Sequence, residues 1–167
     1  ITISIAVIAL IVSIISYFNT SYRDKRQIRI GRIEEIIEII HILMGDYHYY
    51  RDTFFLQQEI RNSLNIEEKK QLFESEKKQV NVLIKISSET KLQEKLIRLS
   101  VLTNTYLPNE KLRNKIRSFI SLYTCIAETT LNRNYTKTKN IFSDYPQPWV
   151  LLPFVEKIQA ELIKEMD

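Results

Sequence analysis

Residues 1–18 read ITISIAVIALIVSIISYF, with no charge, no Gly and no Pro. At about 1.5 Å of rise per residue, a helix of this length reaches roughly 27 Å, close to the hydrocarbon thickness of a bilayer. The stretch therefore predicts a membrane-spanning helix. A signal peptide is the competing reading, but it ends in a small-residue cleavage site that Ser16-Tyr17-Phe18 does not supply. The chain begins at Ile1 rather than Met, which leaves room for a further span upstream.

The next residues predict the orientation. Residues 23–32, RDKRQIRIGR, place Arg23, Lys25, Arg26, Arg29 and Arg32 against Asp24. That local excess equals the formal +4 of the whole chain, so the remainder is balanced. Basic residues directly after a span favour the cytoplasmic side and are attracted to an anionic leaflet. The expected organisation is a span over 1–18, a basic juxtamembrane segment over 19–32 and a cytoplasmic bundle domain over 33–167. Asn19, Thr20 and Ser21 mark the expected weak point between anchor and stalk. A general nucleic-acid binder would spread its excess over a docking face, and a balanced remainder argues against one.

Two Gly and four Pro among 167 residues leave little material for hairpin turns. The fold class is all-α, with a single N-terminal transmembrane helix continuing into an antiparallel bundle of about four helices. The lone Cys125 cannot form an internal disulfide and reads as a small buried apolar residue.

Small residues Ala6, Ala9, Ser13 and Ser16 recur along the span at spacings of three and four, with Thr2 before them, as a self-association seam in lipid would require. A heptad-like row follows in Ile30, Ile33, Ile37, Ile40, Met44 and Tyr47. Together they predict a homo-oligomer assembled along the first helix. A second row, Ile36, Ile39, Leu43 and Tyr50, widens the stripe to that of a bundle helix. The aromatic run Tyr47, Tyr49, Tyr50, Phe54 and Phe55 reads as core, and Gly45-Asp46 as a candidate kink.

Asn65-Ile66-Glu67-Glu68 has a capping-box shape, so a second helix is expected from Ile66 or Glu67 to Tyr106, interrupted near Ser87-Ser88. Its charged first half, EEKKQLFESEKKQ over 67–79, reads as a solvated face. Its second half buries Leu92, Leu96, Leu99 and Thr103, with Ile97 and Val101 alongside. A third helix is expected over 109–131 with Leu112, Ile116, Phe119, Ile120 and Tyr123 inward. Residues 132–150 lack a period but carry Tyr135, Phe142, Tyr145 and Trp149, which predicts a packed loop. Pro153 suits the first turn of the last helix, with Phe154, Val155, Ile158 and Leu162 inward.

Catalytic residues are not expected. Glu38 and His41 form half of a di-iron bundle motif without its second copy, and no phosphate loop, nucleophile elbow or metal-spaced cluster is present, so neither a metal nor a cofactor is predicted. An anion is the better-supported small ligand. Lys111, Arg113, Lys115, Arg117, Arg133, Lys137 and Lys139 face only Glu110 and Glu128, with Tyr135 and Phe142 nearby. The alternative is a basic surface facing acidic lipid or the acidic last helix, and it is favoured.

The function expected first is a non-enzymatic, membrane-anchored assembly, scaffold or signalling subunit that binds the bilayer, itself and another membrane or cytoplasmic protein. The second is a toxin- or defence-type membrane effector gated by an anionic small molecule such as a nucleotide. An enzyme using Glu38 and His41 is the weakest.

Overall fold

The computed structural model describes the backbone of residues 2–132 and 145–166; the side chains of residues 2–9 and of residue 11 lie outside the described residues. Ala6, Ala9, Arg133, Tyr135, Lys137, Lys139 and Phe142 therefore fall outside it as side chains. Five helices and no strand are present among the described residues: α1 Thr2–Asn62, α2 Ile66–Glu89, α3 Leu92–Tyr106, α4 Glu110–Asn132 and α5 Pro148–Lys164. The all-α expectation is met.

At 61 residues α1 is about 90 Å long. It runs unbroken through Asn19–Ser21, the expected weak point, and the helix also continues through Gly45-Asp46. At the first place, the Thr20 hydroxyl donates to the Ser16 carbonyl at 2.9 Å, so the polar side chain is satisfied along the helix instead of competing with it. No helix is long and apolar enough, among the described residues, to cross a membrane. The transmembrane helix expected over 1–18 is thus unsupported there.

The distal part of α1 is the axis of the core. Ile33, Ile36, Ile39, Ile40, Leu43, Tyr47, Tyr50 and Phe54 are buried against α2, α3, α4 and α5. Ile33 and Ile40, expected at a seam between copies, are fully buried within the chain, and Ile37 and Met44 are half-buried against the same core. The wide stripe serves the chain's own bundle.

Asn65 starts α2 by accepting from the Glu67 and Glu68 amides, while the Ser63 hydroxyl meets the Glu68 carboxylate. The break between α2 and α3 comes at Thr90-Lys91, after the expected Ser87-Ser88. Lys91 adopts φ 50°, ψ 51°, the left-handed conformation that ends helices. Asn109 accepts from the Leu112 amide to open α4. The last helix begins at Pro148, so Pro153 lies inside it rather than in its first turn. Gln147 is the N-cap residue of α5, and Pro148 takes the first helical position, where a missing N–H costs nothing.

Burial in α3 and α4 follows the expected faces with exchanges at the margins. Leu102 joins Leu92, Leu99 and Thr103 inside, whereas Ile97 and Val101 are exposed. Leu112, Ile116, Phe119 and Tyr123 are buried, and Ile120 is half-buried. Cys125 is half-buried against the core.

Candidate functional site

The N-terminal stem, residues 10–18, is set apart by having no described residue of another helix packed over it. Leu10, Val12, Ile14, Ile15, Tyr17 and Phe18 are all exposed, Phe18 at 66%, and cover more than half of the helix circumference, with the exposed Ser13 and Ser16 on the remainder. An apolar stripe facing one way would mark one protein partner; exposure all round a helix calls for a surrounding apolar medium or several neighbours. Ser13 and Ser16, expected in the small-residue seam, are exposed within this stretch.

The basic segment follows directly and meets the end of α5. Arg29 Nη2 donates to Glu165 Oε2 at 2.6 Å, and Arg26 Nη2 donates weakly to the Met166 carbonyl at 3.4 Å. Arg32 pairs with Glu35 one turn on. Arg23 and Lys25 are exposed. The sequence shows both the basic segment and the acidic last helix, yet their contact joins positions 136 residues apart and has no local signature. Tyr22, Lys25, Arg26, Arg29, Glu165 and Met166 surround a shallow pocket of about 260 Å³.

Further along, α1 and α3 enclose a larger open groove of about 590 Å³. Its floor is Ile39, Ile42, Ile97 and Val101, and its rim carries Glu38, Lys95 and the Glu35–Arg98 pair. Arg98 grips Glu35 with two nitrogens, at 2.6 and 2.9 Å, and holds that carboxyl below the usual carboxylate range. Glu38 and His41 are both exposed on α1. Among the described residues, no three His, Cys, Asp or Glu gather as a metal set.

The described part of the expected anion segment is engaged within the chain. Arg113 donates to the Leu107 and Pro108 carbonyls, tying down the end of α3. Lys115 pairs with Glu161 of α5 and lowers that carboxyl's pKa, and Arg117 reaches Asn104 and Asn114. Lys111 is exposed.

At the far end the interior is aromatic and polar together. Tyr145 is buried edge-on against Phe54 at 4.7 Å, its carbonyl accepts from Arg51, and the Pro146 carbonyl accepts from Tyr47. Gln57 donates to Glu76 Oε1 at 3.0 Å and to the Thr130 carbonyl at 3.1 Å. Glu76 is 2% exposed, although it lies in the charged run expected to be solvated. Burial pushes Tyr50 up to about 12, so this phenol keeps its proton at neutral pH. Trp149, expected to pack down, stands 68% exposed beside Val150 at the start of α5.

No protein family, curated protein or solved structure matches the chain.

Proposed function

We propose that this chain is a membrane-anchored, non-enzymatic assembly protein. Its stem is a single-pass anchor over residues 1–18, its basic segment sits at the cytoplasmic surface, and its bundle is displayed beyond. The observation that carries this reading is the uncovered apolar stem, exposed on all sides and continuous with a helix that is the axis of a packed core. The basic segment supports the orientation, since cations next to a span are retained on the cytoplasmic side.

Copies associate along the small-residue face of the stem, Ala6, Ala9, Ser13 and Ser16, because small side chains let helices approach in lipid. This places the seam upstream of Ile33 and Ile40, which the bundle uses. The exposed Trp149 and Val150 give the bundle a place for a protein partner, as exposed aromatic anchors do at interfaces.

The test is to wash membranes from cells making the full chain with alkaline carbonate and then float them. An integral anchor keeps the chain in the floated fraction, and removing residues 1–18 releases it. A full chain extracted by carbonate would refute the anchor.

A further inference from the structure

The junction of the basic segment with α5 is more than a charged surface. Three cationic side chains, Lys25, Arg26 and Arg29, border the pocket there, against one carboxylate, Glu165, among the described residues. Arg29 offers that carboxylate one nitrogen, while its Nε is buried and has no hydrogen-bond partner. A guanidinium is a planar fork whose adjacent N–H groups match two oxygens of one anion. Glu165 fills half of the fork; a tetrahedral phosphate in its place would fill both halves and take Lys25 as a further partner.

Position along the helix suits a lipid phosphate. Counting from Phe18, Lys25 and Arg26 lie about 10 and 12 Å on, and Arg29 about 16 Å. Side chains on a helix lean toward its N-terminus, so these cations reach back toward the stem. A headgroup layer of roughly 5–8 Å per leaflet then meets Lys25 and Arg26, with Arg29 at its outer edge. Tyr22, exposed one turn before, is the amphipathic ring expected at that depth.

We propose that the pocket bounded by Lys25, Arg26, Arg29 and Glu165 binds the phosphate of an anionic phospholipid headgroup, with Glu165 occupying Arg29 until that phosphate displaces it. The site deepens the anchor reading and rests on it. Engagement of anionic lipid loosens the end of α5 from α1, so lipid charge is communicated to the bundle through one side chain.

The experiment is native mass spectrometry of the full chain in detergent, titrated with short-chain phosphatidylglycerol, phosphatidylcholine and glycerol 3-phosphate. Phosphatidylglycerol is expected to bind preferentially. Arg29→Gln should weaken it about fivefold or more, and the charge-matched Arg23→Gln clearly less. Glu165→Gln should strengthen it, an effect that vanishes in the Arg29→Gln background, whereas Glu156→Gln on the exposed face of α5 should not. Equal shifts from the matched pairs would overturn the site in favour of diffuse surface charge, and equal binding of glycerol 3-phosphate would overturn the lipid as its source. A chain extracted by carbonate that still shows the Arg29-dependent preference would sink the anchor and leave the phosphate site. A carbonate-resistant chain without that preference would do the reverse.

Discussion

The two ends of α1 have similar apolar residues and opposite fates. Between Leu10 and Phe18, Ile14 and Ile15 stand exposed; between Ile33 and Phe54, Ile36 and Ile40 are sealed. Isoleucine is exposed at one end and sealed at the other, so residue type cannot decide burial alone. What differs is the partner. The distal half meets α2, α3, α4 and α5, which supply apolar faces, and the proximal half, among the described residues, meets the end of α5 through its basic segment. Burial here is a property of place, and residue type only permits it.

The largest test of that contrast is truncation at matched positions. Ile40→Ala should cost the bundle about 2–4 kcal/mol, through lost transfer energy and the cavity left behind. Ile14→Ala should leave bundle stability within about 0.5 kcal/mol, since Ile14 is exposed and lies outside the core cluster. Urea unfolding of the full chain in mild detergent, followed by circular dichroism, reads both. A comparable cost at Ile14 would mean that the stem is covered by another copy.

Glu76 is the inverse case, a charge at an interior place. Gln57→Leu removes its donor and the bond to the Thr130 carbonyl together, and should cost about 1–3 kcal/mol in the same assay. The charged run 67–79 gave no warning, because within EEKKQLFESEKKQ the residue resembles its solvated neighbours. Its environment is made by α1 and α4.

The same division explains what was legible. The all-α class, the Asn65 cap and the inward faces of α1 and α4 follow from period, capping chemistry and composition, all local properties. The Arg29–Glu165 and Glu35–Arg98 pairs and the α1–α3 groove depend on which elements meet, and no short window records that. The start of α5 differs for another reason: Pro148 and Pro153 both suit a first turn, and it is Pro148 that takes the first helical position while Pro153 lies inside.

Two backbone positions carry residues that their local conformation disfavours. Gly45 lies mid-helix with open space where a Cβ would go, so Gly45→Ala should stabilise by about 0.5–1 kcal/mol. Lys91 holds a left-handed conformation that Gly adopts freely, and Lys91→Gly should gain about 1 kcal/mol or somewhat less. A loss at Lys91 would show that its weak pairing with Glu94 or its place on the groove rim outweighs the backbone.

Protonation gives a finer contrast between paired and desolvated carboxyls. Arg98 lowers Glu35 and Lys115 lowers Glu161, so each pair's contribution is complete above the ordinary carboxylate range and is lost as pH falls through the lowered folded value. Asp46 is raised by burial, so its ionised form weakens the fold above the raised value and this penalty fades as pH falls toward the unfolded value. Glu35→Gln should therefore flatten the acid limb of a stability profile. Asp46→Asn should raise stability at neutral pH and steepen the limb.

Trp149 gives the smallest expected effect on folding and the sharpest use of the comparison. It is the chain's only Trp, it stands exposed beside Val150, and it lies at the end of the bundle remote from the stem. If place governs burial, Trp149→Ala should shift unfolding by no more than about 0.5 kcal/mol, as an uncovered residue requires. Its emission should be that of a water-exposed indole in the isolated chain. A large stability loss, or blue-shifted emission, would place this indole in a contact, and the bundle would then have a covered distal face to match its core. Unchanged folding together with lost partner capture would separate the two roles of apolar surface in this molecule: the core residues of distal α1 hold the bundle together, and Trp149 is spent outside it.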